Sequence, residues 1–403
     1  MTRFPVAQTG GPARRWLQVL GLSLLTALAV NACGGGGDVA GVGSGGTGSF
    51  SVGTITGFGS VFVNGQRYDD SGASVSDENG PRSRADLRLG MVVTVQASVS
   101  ASGSATASSI TFDSELLGPV DTGSVNAGGK SFAILGQKVL VAAGTVFDPQ
   151  LPLGLSSIRE GQTLEVHGYV NPLANELQAT FVAPASGAAR YKISGAVSAL
   201  LIGARTFRIG TATVSYAGLD GSGLPQGLAD GVLVKVRLAP GGPTAAGARQ
   251  ATALRLNDAI VSDQPSAEVE GLITSFTSAS QFNVGTISVD ARNANFAGAT
   301  TGLGLGARVA VKGAVSAGTL VAREVKLEDP KAGVQIELEG AVAALDKAAK
   351  TFVLRGVTVS YAGAVQYKKG GQADLRDGAK VEVKGQISPN GAVVNASRIE
   401  FDD

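Results

Sequence analysis

The chain of 403 residues holds few side chains able to make or break bonds, with one histidine and one cysteine among them. His167 stands in the stretch LEVHG. As a general base it would need an acid to orient it and a nucleophile to activate, and as a metal ligand it would need two or three further donors. No GxSxG elbow and no HExxH pattern supplies them. His167 also falls where the sister repeats described below carry Gln96, Arg237, Lys312 and Lys384, so it is predicted to be an outward surface residue. Carboxylate pairs are the remaining route to hydrolysis. Glu160, Asp230 and Asp377 each sit beside a turn glycine, where a solvated turn residue is expected, which leaves a carboxylate-dependent hydrolase as a remote alternative. Asp69, Asp70, Asp77 and Glu78 crowd one loop and offer oxygen ligands of the kind calcium takes, but their irregular spacing predicts a solvated acidic loop; no metal and no cofactor is expected. Tyr367, Lys368 and Lys369 form a basic loop suited to an anionic partner such as lipopolysaccharide or a phosphate-rich polymer. Finally, the hexapeptide TVSYAG occurs at 213–218 and again at 358–363. Its tyrosines, Tyr216 and Tyr361, are either an exposed stacking platform or the filling of a repeated core.

The elements that position these residues recur. The pattern LxxGxxVxV appears as LRLGMVVTV, IREGQTLEV, LADGVLVKV, LGLGARVAV and LRDGAKVEV around Gly90, Gly161, Gly231, Gly306 and Gly378, spaced 71, 70, 75 and 72 residues apart. A second marker, Phe62, Phe132, Phe207, Phe282 and Phe352, keeps step with it. Each copy reads as a strand opening at a glycine, a phenylalanine strand, a turn such as Asn64-Gly65, a third strand, the LxxGxxVxV strand and a last strand, all with period-two alternation. The first apolar residue of the pattern (Leu87, Ile158, Leu228, Leu303, Leu375) is expected to plug one end of the module from a single helical turn, with Asp86 and Asp374 as N-caps. Five short strands in about 70 residues suit a small closed barrel, because closure removes unpaired edges. The fold class is therefore all-β, five tandem small five-stranded OB-like barrels. Seven residues beyond each phenylalanine of copies two to five stand Val139, Val214, Val289 and Val359, and two further on stand Val141, Tyr216, Ala291 and Tyr361. Residues two apart share a strand face, so both tyrosines are predicted to face the core.

On the strength of the LxxGxxVxV signature and this module order, residues 50–403 resemble a family of bacterial envelope lipoproteins made of tandem OB-like modules, a domain of unknown function. The resemblance implies envelope placement and OB-like topology, and brings no catalytic residues with it. The N-terminus agrees. Met1 to Arg15 has three arginines and no acid, Trp16 to Ala32 is largely apolar, and Cys33 follows Val30-Asn31-Ala32, which resembles the lipobox in which a cysteine is lipidated. Residues 1–32 are read as a signal peptide and Cys33 as the lipidation site. Gly34 rather than Asp after it implies the outer membrane, and Arg14-Arg15 leaves the twin-arginine export route open beside the general one. Residues 33–49, GGGGDVAGVGSGGTGS after the cysteine, are a flexible tether of about 20–25 Å root-mean-square reach. The GVGSGG within it lacks the strand and helix a dinucleotide site needs. The modules are bounded at 50–115, 116–188, 189–263, 264–330 and 334–403.

Composition bounds the function. The chain has 58 glycines, 5% aromatic and 16% charged residues, which favours several modest modules over one large core. Its net charge is +1, and loss of the leader's three arginines leaves 30 basic against 32 acidic residues, so neither form attracts nucleic acid. The only tryptophan, Trp16, lies in the leader, which weakens carbohydrate recognition by stacking. The expectation is a non-enzymatic, lipid-anchored envelope protein whose tandem barrels act as a spacer or multivalent binding scaffold. The alternative is a ligand-binding lipoprotein in which one or two barrels recognise an envelope glycan, peptide or lipopolysaccharide. The expected partners are the membrane, through the N-terminal lipid, and an envelope polymer or protein.

Overall fold

The computed structural model describes residues 47–245, 247–257, 262–298, 300–329 and 333–402. The stretch read as a signal peptide, the expected lipidation site Cys33 and the expected tether up to residue 46 lie outside the described residues.

In the first module, Thr47–Phe58 pairs antiparallel with Val61–Val63, which turns at Asn64-Gly65 into Gln66–Asp69. That third strand lies parallel to Ala105–Phe112, which is antiparallel to Val92–Val99, and Val92–Val99 closes back on Thr47–Phe58. Strand order 1-2-3-5-4-1 is a closed five-stranded barrel of OB topology. The strand begins at Thr47, inside the stretch assigned to the tether, because Thr47 to Ser49 are paired with Val99 to Ala97.

The same circuit closes four more times. In the second barrel it runs through Leu116–Pro119, Ser131–Ile134, Gln137–Phe147, Thr163–Asn171 and Glu176–Pro184. In the third it uses Tyr191–Ala196 continued by Ser198–Leu201, then Thr206–Ile209, Ala212–Ser215, Leu233–Leu238 and Ala248–Leu256. The fourth is built from Gln264–Ser278, Gln281–Val284, Ile287–Asp290, Arg308–Ser316 and Thr319–Leu327. The fifth uses Gln335–Ala341 continued by Ala343–Asp346, then Thr351–Leu354, Val357–Ser360, Lys380–Ile387 and Val394–Phe401. Among the described residues no helix is long and apolar enough to cross a membrane.

The signature glycine has a mechanical role. Gly90, Gly161, Gly231, Gly306 and Gly378 all have φ between +73° and +86°, a region costly for a residue with a Cβ. That turn aims each glycine N–H at a carbonyl of the first strand: Ile55, Val120, Val197, Ile273 and Val342 respectively, at 2.7–2.9 Å. The same first-strand residues donate back to Met91, Gln162, Val232, Ala307 and Ala379. The pattern thus marks where strand four is clamped to strand one. The apolar residue at its start is buried in three modules, Leu87, Ile158 and Leu375, directly after 3-10 turns at Arg84–Asp86, Gly154–Ser157 and Gln372–Asp374. Leu228 and Leu303 are only half-buried. The predicted role of Asp86 and Asp374 is corrected. They end the turns rather than begin them, and their carboxylates reach back to the N–H groups of Ser83 and Gly371.

Inside the barrels Phe132, Phe207, Phe282 and Phe352 are buried, with Val139, Val214, Val289 and Val359 on the facing strand. Tyr216 and Tyr361 are buried too, and their rings meet Phe207 and Phe352 in the same tilted geometry at 5.9 and 6.0 Å. The hexapeptide is a core strand. Phe62 departs from this register: Val61 and Val63 point inward, so Phe62 faces out, beneath the Arg67 guanidinium at 5.8 Å. The inward residue equivalent to Phe132 is Val61, and seven residues on from it Tyr68 is buried.

The barrels are not beads on a string. The first strand of barrel one lies parallel to that of barrel four, Ser49 to Val52 beside Ser266 to Val269, and its far end lies parallel to barrel five, Gly57 and Phe58 beside Glu337 and Leu338. Barrels two and three share a core, as do barrels one and five, and Phe50 of barrel one sits in the core of barrel four.

Candidate functional site

Two kinds of inter-barrel contact follow from this packing. The first is a buried network of charge. Glu78 from the hairpin of Ser74–Asp77 and Gly80–Arg82, Asp113 after barrel one's last strand, and Glu115 just before barrel two's first strand meet four cations of barrel three. Lys192 Nζ lies 2.5 Å from both Glu78 and Asp113, Lys235 lies 2.7 Å from Glu115 and 3.1 Å from Asp113, Arg237 lies 3.3 Å from Glu78, and Arg255 lies 2.6 Å from Asp113. Burial raises the Asp113 carboxyl, but Lys235 and Lys192 outweigh it and hold the group at about 2. A cleft of about 410 Å³ beside this network is lined by Glu78, Asp113, Glu115, Lys235, Arg255 and Glu270. Each of these has an opposite charge within 3.5 Å, so the charges hold barrels together rather than await a ligand. Tyr169 of barrel two completes the joint, its hydroxyl 3.0 Å from Thr54 of barrel one and its ring 5.2 Å from the Arg308 guanidinium of barrel four.

The second contact is an open, apolar one. Between barrels one, two and five lies a chamber of about 440 Å³ walled by Leu89, Val146, Phe147, Phe181, Val357 and Ile387, within the range of small-molecule sites. It is shaped by backbone contact between barrels two and five, where the Phe147 N–H donates to Gly391 at 2.8 Å. A polar mouth lined by Ser60, Asp70, Ser83 and Arg84 adjoins it, and Phe58, Ala85, Arg88 and Arg355 belong to both. Arg88 is held through Nη1, which donates to the carbonyls of Ala85 and Leu87, and Arg355 through Nε, which donates to the Glu339 carbonyl.

The residues singled out in the sequence fall elsewhere. His167 is fully buried, not on the surface: barrel one's Phe112 and barrel two's own Phe181 close over it at 6.3 and 5.8 Å. Of the equivalent outward positions Lys312 is exposed, and Gln96, Arg237 and Lys384 are half-buried. Glu160, Asp230 and Asp377 lie in separate barrels and repeat one structural task, accepting the N–H of Gly123, Leu200 and Leu345 at 2.7–2.9 Å to pin the turn after strand one or that strand's continuation. The acidic loop does not converge. Asp77 pairs with Arg82 at 2.7 Å, Asp70 with Arg84 at 3.7 Å, Asp69 accepts the Ser71 N–H, and Glu78, expected to be solvated, is buried against Lys192. Among the described residues no cluster of metal-ligand type occurs. Tyr367, Lys368 and Lys369 do not share a surface either. Gln366–Lys368 is a strand, so Tyr367 turns inward onto the core while Lys368 faces out, and Lys369 pairs with Glu400 at 3.4 Å. Arg88, Arg355 and Leu89 were not singled out. The sequence signal of Arg88 and Leu89 is at the two positions before the signature glycine, which read Arg-Glu and Arg-Asp in barrels two and five but Arg88-Leu89 in barrel one, whereas Arg355 stands in a hairpin turn before Gly356.

Four stretches, 51–111, 118–183, 270–326 and 339–400, match the family model described as Domain of unknown function (DUF5666). The chain belongs to that family. The third barrel lies outside the DUF5666 matches yet closes the same strand circuit, so the architecture is five barrels of one circuit, four of them matched by the family model. No curated protein matches this DUF5666 chain. Among solved structures it is similar to drosophila Unr CSD456, at 13% identity over 52% of this chain and 96% of that one, with a TM-score of 0.14, too low to carry an argument.

Proposed function

We propose that the protein is a non-enzymatic lipoprotein of the bacterial envelope, anchored at the outer membrane through acylated Cys33, whose packed barrels form a binding scaffold with its ligand site between barrels. The anchor is supported by the single cysteine directly after the apolar leader. The observation that carries the binding role is the chamber walled by three different barrels, lined with apolar side chains and open to a polar mouth. A spacer would keep barrels in file, touching only chain neighbours; pairing of barrel one with barrels four and five favours a scaffold.

Two experiments test the two halves. Cys33→Ser should move the protein from the membrane pellet to the soluble envelope fraction, and a variant that still sediments carrying labelled lipid would overturn the anchor. For the site, the repeated hexapeptide supplies a matched pair. A photo-crosslinking residue at Thr358, which lines the chamber, should capture a cellular ligand that the same residue at Thr213 does not. Equal labelling at both positions, or none at Thr358, would overturn the binding scaffold.

A further inference from the structure

We infer that the chamber between barrels one, two and five takes a single-chain amphiphile with an anionic head, the acyl chain lying in the apolar chamber and the head at the guanidinium groups of Arg88 and Arg355. The inference rests on the reading of the chamber as a ligand site and adds the chemical class.

Three observations carry it. First, charge at the rim is unspent. Arg88 is tied through Nη1 and Arg355 through Nε, both to neutral carbonyls, and among the described residues neither guanidinium pairs with a carboxylate. Both stand on the wall common to chamber and mouth, with free N–H donors in the planar fork that matches a carboxylate or phosphate. Arg67, close by in sequence to the mouth residues, is by contrast neutralised by Glu339 at 3.1 Å. Second, the carboxylate that lines the mouth is paired, Asp70 with Arg84 at 3.7 Å, while Asp148 in the chamber wall accepts the Gln150 N–H at 3.0 Å. Third, this barrel departs from its sisters at one telling position. Arg159 in barrel two makes the same two carbonyl contacts as Arg88, but the residue after it, Glu160, is the acid that pins a turn. In barrel one that residue is Leu89, 2% exposed and part of the chamber wall. An arginine followed by a buried leucine puts a cation and an apolar surface side by side, the pairing an amphiphile needs. Barrel four has Gly304-Leu305, without the cation, and barrel three has Ala229-Asp230, without either.

The test uses the full chain carrying Cys33→Ser, purified without detergent, and cis-parinarate, a fluorescent long-chain carboxylate. Parinarate fluorescence should rise saturably and be reversed by dodecanoate or dodecyl phosphate, with dodecan-1-ol weaker by about tenfold or more, because charge-assisted hydrogen bonds are lost. Reversal by the phosphate alone would support the proposal and point to a lipid headgroup, while reversal by both extends it to free fatty acids. Arg88→Gln with Arg355→Gln should weaken parinarate by about tenfold or more while leaving the thermal melt unchanged, since both side chains are exposed. Leu89→Glu, which restores the sister residue, should abolish binding. Displacement by dodecan-1-ol as strong as by dodecanoate, with the double glutamine variant binding normally, would overturn the anionic class while leaving the chamber a ligand site. Absence of any parinarate binding would overturn the proposal, and crosslinking at Thr358 then reports separately on the scaffold.

Discussion

At the scale of single residues the molecule turns on which strand face a side chain occupies. Phe352 and Tyr361 fill one end of the fifth barrel, the phenylalanine fully and the tyrosine at 4% exposure, while Ser360 between them on the chain's other face is half-buried. Phe352→Ala should therefore cost about 3–5 kcal/mol and Tyr361→Ala nearly as much, with Ser360→Ala under about 1 kcal/mol. Denaturant melts of the full chain, with hydrogen exchange resolving the fifth barrel, check the order; a wild-type melt for Tyr361→Ala would reverse the face assignment. These positions were legible because period-two alternation is local. His167 was not, for a reason of the same kind: alternation says that it leaves its own barrel, and only the folded molecule says that Phe112 of another barrel awaits it. Arg88 and Arg355 were hidden likewise, being unremarkable until barrels one and five meet.

At the scale of elements, the order of strands could be read from sequence while one register could not. Two markers run through the repeats, the glycine spaced 71, 70, 75 and 72 residues and the phenylalanine 70, 75, 75 and 70, and of the five phenylalanines Phe62 alone stands out of register. The glycine keeps one structural place in all five barrels because it is fixed by backbone geometry, a left-handed turn tied to strand one, whereas any apolar residue can fill the inward site that Val61 takes. Gly161 isolates that geometry, since a Cβ there would meet nothing within 4 Å. Gly161→Ala should cost about 1–2 kcal/mol through conformation alone, and Gly161→Asn less, because asparagine tolerates left-handed backbone. Shifts in urea midpoint measure both, and an alanine variant as stable as the parent would remove the clamp from the explanation of the repeat.

At the scale of the whole molecule, the charge network ties barrel three to barrel one. Asp113 is depressed to about 2 in the folded chain against roughly 3.9 when unfolded, so its contribution is complete above about pH 4 and is lost as pH falls towards 2. Hydrogen exchange in Ser74–Asp77 and Tyr191–Ala196 should accelerate across that window. Asp113→Asn should loosen the same segments at neutral pH, with a loss below the about 3–5 kcal/mol of a fully orphaned buried charge, because Lys192 and Lys235 lose one carboxylate each but keep Glu78 and Glu115. Unchanged exchange in that variant would assign the joint to its apolar contacts. The parallel ladders of barrel one have a different consequence, one of timing. A chain is made from its N-terminus, yet Ser49 waits for Ser266 and Gly57 for Glu337. Contacts so distant in sequence close slowly. Barrel one precedes barrels four and five in the chain, and until they arrive the edge of its first strand at Ser49 to Val52 and at Gly57 and Phe58 stands open to other chains.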